Sequence, residues 1–98
     1  MNYEYRAEII ANQSVQDDIT ELLEEEIQDI QYTLIPETHG KGGHTKKLGD
    51  TVWPEMNFVL ITYVNKDDAV KIRSLVEKVK ARFPKEGISL FFSKCEEI

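Results

Sequence analysis

The chain has 98 residues, enough for one domain with a modest core, and its 41% hydrophobic and 31% charged residues are typical of a globular protein. It contains no apolar run of roughly 18 residues, which excludes a membrane-spanning helix, and we expect no signal peptide at its start. A single cysteine, Cys95, excludes an internal disulfide and suits a reducing cytoplasm, where we expect the protein to reside.

The formal net charge of −6 is concentrated in one segment. Residues 14–29 contain seven acidic side chains and no Lys or Arg, which accounts for the whole excess of negative charge. Binding to a phosphate backbone requires a concentrated basic surface, so we expect no nucleic-acid binding, although a local site for one small anion is compatible with this charge. The carboxylates neighbour one another, which indicates a solvated helix face rather than acid–base machinery.

The N-terminal third predicts a strand followed by a helix. Residues 3–11 alternate between apolar and polar side chains, the period of two that is typical of a strand. Ser14 is predicted to cap the first helix by accepting a hydrogen bond from the amide of Asp17, and the helix is expected to end near Gln28. Its apolar residues recur at helical spacing: Val15, Ile19, Leu22, Leu23, Ile27 and Ile30.

Two further strands flank a long loop. Residues 30–35 are predicted as the second strand, ended by Pro36 because proline cannot donate to a strand ladder. Residues 56–64 are apolar on nearly both faces, which predicts a central strand. The loop between them, residues 36–54, holds four of the five glycines and both histidines, and it far exceeds the roughly 2–5 residues of an ordinary hairpin. Long loops in compact domains are usually functional or disordered, so we expect the site here.

The C-terminal third predicts a second helix and a fourth strand. Asn65 is expected to cap the helix, with acidic residues in the first turn where negative charge suits the dipole. Pro84 and Gly87 end the helix, and residues 88–93 form the last strand. The residues expected on the buried side of this helix are Ala69, Ile72, Val76, Val79 and Phe83.

The order β-α-β-β-α-β specifies a fold class. Each β-α-β unit requires a right-handed crossover, and the two middle strands join as an antiparallel hairpin. We therefore expect one α+β domain over residues 1–98 with ferredoxin-like topology, in which a four-stranded antiparallel sheet carries both helices on one face.

The other face of this sheet has no helix to cover it. The strands nevertheless carry apolar residues on both sides: Val59, Ile61 and Tyr63 lie on the opposite side of the third strand from Phe58 and Leu60, and Phe91 lies on the opposite side of the fourth from Leu90 and Phe92. An uncovered apolar face of this size usually marks an interface, so we expect self-association. The alternative is ordinary strand hydrophobicity with the C-terminal tail folded across it, but the tail after Ser93 is short and polar.

The start of the long loop contains a candidate anion site. Gly40, Lys41, Gly42 and Gly43 follow a strand and are rich in unhindered backbone amides, which can form a concave nest for an anion beside the Lys41 charge. The segment lacks the GxxxxGK[ST] pattern of a Walker loop. The alternative is a mobile hairpin tip in which the glycines supply flexibility alone.

His39 and His44 are candidate metal ligands in the same loop. Two imidazoles can bind zinc or copper, particularly where a second chain completes the site, and Cys95 is a further candidate ligand. The sequence shows no CxxC, HxH or HExxH spacing, so exposed loop histidines are the alternative interpretation. No constellation suggests catalysis, and an acylphosphatase-like enzyme is disfavoured because residues 11–14 contain no arginine. We expect that the protein is not an enzyme.

The loop boundaries carry a family resemblance. Residues 34–42 (LIPETHGKG), the loop exit at residues 51–57 (TVWPEMN) and residues 83–88 (FPKEGI), together with the β-α-β-β-α-β order, resemble the PII signalling family and its divergent PII-like relatives. The resemblance implies a homotrimer whose open sheet faces pack around a central axis. It also implies a small effector, typically an adenine nucleotide, in the clefts between subunits. Effector binding would reshape the loop, which docks on a transporter or enzyme partner.

The resemblance also assigns residues. By position, Gly40, Lys41 and Gly42 would lie at the loop base beside the phosphates, and Lys94, after strand four, could reach the cleft. The basic second loop of PII is replaced here by residues 84–87, and the long loop lacks the modifiable tyrosine. The chain is therefore similar to PII-like proteins rather than to a nitrogen-regulatory PII.

The alternative function is a trimeric divalent-metal-binding protein similar to the cation-tolerance proteins, which share this fold and oligomer. His39 and His44 would then be metal ligands, with Cys95 as a further candidate.

Overall fold

A computed structural model describes residues 3–41 and 55–98. The chain forms the predicted order of strands and helices, with a short 3-10 turn, Gln13–Val15, before the first helix. The elements are β1 (Tyr5–Asn12), α1 (Gln16–Glu26), β2 (Thr33–Gly40), β3 (Glu55–Val64), α2 (Lys66–Arg82) and β4 (Ile88–Lys94). Within the described ranges, no helix is long and apolar enough to cross a membrane.

The four strands form one antiparallel sheet in the order β2-β3-β1-β4. β1 and β3 are the inner strands, and Ile9 of β1 lies opposite Leu60 on one side and Leu90 on the other. β2 and β4 are the edge strands. This is the ferredoxin-like arrangement that the sequence predicts.

The core lies between the helices and one face of the sheet. Alternate residues of β1 are fully buried, as their period of two predicts, and they meet the apolar sides of both helices. Leu75 of α2 is fully buried as well, so the buried side of this helix is wider than the predicted stripe. The other buried core residues include Ala7, Ile9, Ala11, Val15, Ile19, Leu23, Phe58, Leu60, Ile72, Val76 and Val79. Each large apolar side chain buried here contributes about 1.5–3 kcal/mol.

The first helical segment is capped by Asn12, and the prediction that Ser14 caps it is wrong. The Asn12 side chain accepts a hydrogen bond from the Ser14 amide at 2.9 Å, because it lies directly at the end of β1 where the first free amides begin. Val15 precedes α1 and makes no side-chain cap bond. The helix ends at Glu26 rather than near Gln28, since Ile27 is already extended.

The second strand begins at Thr33 and continues through Pro36 to Gly40, so the prediction that Pro36 ends it is wrong. An edge strand needs ladder bonds on one side only, which makes proline tolerable there. The pairing shifts register between Ile35 and Thr38, as in a β-bulge, and this irregularity accommodates Pro36. The Thr38 hydroxyl then donates to the carbonyl oxygen of Asn57 at 3.0 Å, where regular pairing resumes.

The predicted cap of the second helix is confirmed. The Asn65 side chain accepts a hydrogen bond from the Asp68 amide at 2.8 Å. At the other end of α2, the Arg82 guanidinium lies 5.4 Å from the centre of the Phe83 ring. The quadrupole of an aromatic ring attracts a cation that lies over its face. This contact stabilises the end of α2 and the start of the segment that leads into β4.

Candidate functional site

The base of the long loop is the paired end of β2 and β3. Thr38, His39 and Gly40 lie opposite Asn57, Met56 and Glu55, so the chain leaves the sheet and returns to it on neighbouring strands. Lys41 directly follows β2 and is exposed.

The structure describes only part of the predicted anion site. Gly40 and Lys41 belong to the described residues, whereas Gly42, Gly43 and His44 lie outside them. The glycine nest therefore stays a prediction; of its residues, Gly40 ends β2 and Lys41 directly follows it.

A strained residue lies just before this loop base. Glu37 has a φ of 54°, which is uncommon for a residue other than glycine, and it falls within the register shift of β2. The extra residue places Thr38, instead of Glu37, opposite Asn57, and so reverses the side to which each following residue points. Sequence reasoning missed the bulge, because a glutamate gives no signal of a positive φ. Pro36, which precedes Glu37, is compatible only with an edge strand or a bulge, and it was the sequence feature that could have indicated the bulge.

The segment at residues 84–87, between α2 and β4, lies at the same end of the sheet. β1 ends there, and the Asn12 amide donates to the carbonyl oxygen of Gly87 at 3.0 Å, just before β4 begins. Lys85 in this segment is exposed. Because β2 and β4 form opposite edges of the sheet, Lys41 and Lys85 lie at one end of the molecule but on opposite edges. A single site that used both side chains would require a second copy of the chain.

Lys94 lies away from the loop base. It is the last residue of β4, not a residue after it, and it pairs with Tyr5 at the start of β1. Because β4 runs antiparallel to β1, Lys94 is at the opposite end of the sheet from Gly40, roughly 30 Å away at ~3.3 Å per strand residue. Within one copy the structure does not bring Lys94 and Lys41 together.

The metal candidates are also separated within one copy. His39 is exposed on β2 near the loop, whereas the Cys95 amide donates to Glu4 at the other end of the sheet at 3.1 Å. Within residues 3–41 and 55–98, no group of three or more His, Cys, Asp or Glu side chains is placed to hold a metal ion. His44 lies outside that range, so the histidine pair stays a prediction.

The side chain of Tyr32 joins the chain before β2 to the first helix. Its hydroxyl donates to the Glu24 carboxylate at 3.1 Å. Partial burial, followed by this hydrogen bond and the nearby negative charge, raises the pKa of Tyr32 above its ordinary value. The contact belongs to the helical layer and is remote from the loop base, so we assign it a structural role.

The sheet face turned away from the helices carries large apolar side chains that no helix covers in the single chain. Phe91, Tyr63 and Ile35 retain 57%, 47% and 45% of their exposure. The register aligns Ile35, Val59 and Ile10 across three neighbouring strands. The apolar face predicted from the third and fourth strands is therefore present, and it includes β1 and β2 as well. We call this surface the open face.

Several solved protein structures are similar to this chain in architecture. No family model and no curated protein sequence matches the chain. CPII, a nitrogen regulatory PII-like protein of Thiomonas intermedia K12 solved with ADP, AMP and bicarbonate, is similar at a TM-score of 0.63 and 17% identity, over 99% of this chain and 97% of CPII. A Thermus thermophilus protein, TTHA0516, described as PII-like and signalling, is similar at a TM-score of 0.64 and 17% identity, over 94% and 86% of the two chains.

A more distant similarity is to an enzyme. A phage SAM lyase in complex with S-methyl-5'-thioadenosine matches at a TM-score of 0.57 and 12% identity, over 96% of this chain and 83% of the lyase. Similarity at such identities concerns the fold and does not transfer activity. The resemblance predicted from the loop boundaries is confirmed at the level of the fold: the chain has the architecture of the divergent PII-like signalling proteins.

Proposed function

We propose that this protein is a PII-like regulatory protein that works as a homotrimer. It binds a small anionic effector of the adenine-nucleotide type in the clefts between subunits, and it signals to a partner protein through the loop at residues 36–54. The observation that carries the proposal is the similarity to CPII over 99% of this chain, because CPII was solved with ADP, AMP and bicarbonate.

The geometry of the loop base supports an anionic effector. Gly40 brings an unhindered backbone to the end of β2, and the exposed Lys41 follows it. Backbone amides and a lysine ammonium are the groups that bind phosphate oxygens in many protein sites. Lys85 lies on the far edge at the same end, so two copies that meet edge to edge bring two cations to one cleft.

The open face supports self-association. Large apolar side chains that are about half exposed on a sheet face are unusual on a monomer and typical of an interface. A trimer uses this face at its centre and leaves both helices and the loop accessible to an effector and a partner.

Titration calorimetry against ATP, ADP, AMP and bicarbonate tests the effector. We expect at least one adenine nucleotide to bind, and we expect Lys41→Ala to weaken it about tenfold, since one charge-assisted contact contributes about 1.5 kcal/mol. Lys71→Ala is the matched control, because Lys71 is also an exposed cation but pairs with Asp68 near the start of α2, at the end of the sheet away from the loop. Absence of binding by every nucleotide in the panel would refute the effector proposal.

A further inference from the structure

The open face contains one ion pair, and it lies on an inner strand. Arg6 and Glu8 point from β1 to this face, with Nη2 of Arg6 at 2.9 Å from Oε2 of Glu8. Their side chains retain 34% and 27% of their exposure. Ile61 and Phe91 lie opposite Glu8 on the two flanking strands, so an apolar surface surrounds the pair.

The pair leaves no net charge on the central part of the open face. Its two charges cancel, and the register places only uncharged residues on this face within residues 33–35, 57–63 and 89–93. The negative excess of the chain lies in residues 14–29, on and near α1, and it opposes contact between copies through that part of the helical layer. A second copy that presents the same neutral, apolar face meets no such repulsion. The occupant that fits this face is therefore another copy of the chain.

Arg6 brings more hydrogen-bond donors than its own chain satisfies. A guanidinium has five N–H groups, and among the described residues Arg6 donates to Glu8 alone. Tyr63 and Ser93 lie opposite Arg6 on the flanking strands, yet neither accepts from it. When the face is covered and loses its water, the remaining donors require acceptors. The nearest unused source is the face of the neighbouring copy.

We propose that Arg6 donates hydrogen bonds across the subunit boundary and that the Arg6–Glu8 pair fixes the register in which the copies assemble. This inference rests on the proposed homotrimer. Apolar contacts tolerate sliding of one sheet over another, whereas a desolvated ion pair with directional donors is satisfied in one arrangement only. The pair thus determines how many copies assemble and in which orientation, while the surrounding apolar side chains supply most of the affinity.

Arg6→Lys tests the donation across the boundary. It keeps the positive charge and the pairing with Glu8 but removes the guanidinium fork. We expect the dissociation constant of the assembly to be about tenfold higher than in wild type, measured by sedimentation over a range of concentrations. Lys71→Arg is the control. It makes the reverse exchange of lysine for arginine on α2, away from the open face, and should leave assembly unchanged. Assembly of Arg6→Lys at wild-type strength would overturn the donation.

The double variant Arg6→Met with Glu8→Leu tests the register. It removes both charges and keeps the volume, so the copies should still associate but with more than one stoichiometry in native mass spectrometry. A single wild-type stoichiometry would overturn the register role. Far-UV circular dichroism verifies that each variant is folded, which we expect because both side chains are only partly buried. A monomeric wild-type protein would instead refute the proposed homotrimer, so the two failures are distinguishable.

Discussion

The chain passes from the sheet into the helical layer at Asn12, and the Asn12 side chain stabilises this passage. Its side-chain oxygen accepts from the Ser14 amide, while its own amide donates to the carbonyl oxygen of Gly87. The first amides of a helical segment have no partner within the helix, so a local side-chain acceptor satisfies a group that is otherwise costly to bury. Asn12 thereby also positions the segment before β4, at the same end of the sheet as the loop base.

We expect Asn12→Ala to lower the free energy of unfolding by about 1 kcal/mol, the usual loss for a missing cap. Ser14→Ala is the control, because Ser14 supplies its backbone amide and not its hydroxyl, and it should change stability by less than about 0.5 kcal/mol. Urea unfolding at a fixed protein concentration measures both variants. An equal loss from Ser14→Ala would contradict the assignment of the cap to Asn12.

Among the elements, α2 forms much of the boundary between the core and solvent. Its four buried side chains are Ile72, Leu75, Val76 and Val79. The predicted stripe took only one path of such steps and omitted Leu75, although Leu75 lies three residues after Ile72 and four before Val79 and is fully buried. A helix that packs against a sheet presents a broad apolar side, wider than the narrow seam of a coiled coil.

Leu75→Ala tests that breadth. Removing a fully buried leucine side chain should lower the free energy of unfolding by about 2–5 kcal/mol through lost burial and the cavity left behind. Val70→Ala, on the same helix but 62% exposed, is the matched control and should change it by less than about 0.5 kcal/mol. Thermal or urea unfolding compares the two. A small effect at Leu75 would show that this side of the helix is loosely packed.

The limits of prediction are clearest in β2 and β4. Alternation of side chains predicted the first strand, because burial on one face requires a period of two, and apolarity on both faces predicted the third as a central strand. Sequence reasoning ended β2 at Ile35, since the rule against proline in a ladder applies to inner strands and the sequence does not reveal which strands lie at an edge. Family position predicted that Lys94 could reach a cleft between subunits; within one chain the antiparallel direction of β4 places it at the other end of the sheet from the loop base, and its part in such a cleft stays a prediction.

For the whole molecule, charge is distributed by layer. The negative excess lies on and near α1, and Lys78 of α2 reaches Glu26 of α1 at 3.8 Å across the helical layer. The central part of the open face, within residues 33–35, 57–63 and 89–93, carries no charge, and the Arg6–Glu8 pair on β1 compensates itself. Exposed ion pairs of the helical layer add little stability. Because most of the charge lies away from the open face, two copies that meet through this face experience little electrostatic repulsion. We therefore expect assembly through the open face to depend only weakly on ionic strength.

Phe91→Glu tests assembly and the site together. A carboxylate at this position of β4 would lose its hydration opposite the like charge of Glu8, so the assembled species should dissociate at least about 100-fold more easily. The single chain should remain folded, since Phe91 is 57% exposed there, and Val70→Glu on the helical layer is the matched control. Sedimentation should give the mass of one 11.3-kDa chain for Phe91→Glu and three times that mass for wild type and the control.

The same variant separates the two possible locations of the effector site. Because Lys41 and Lys85 lie on opposite edges of one sheet, a site built from both exists only between copies. Dissociated Phe91→Glu should therefore lose nucleotide binding in calorimetry, although neither the loop base nor the segment before β4 is altered. Unchanged affinity in the dissociated variant would place the effector within a single chain, at Gly40 and Lys41 without a contribution from a neighbour.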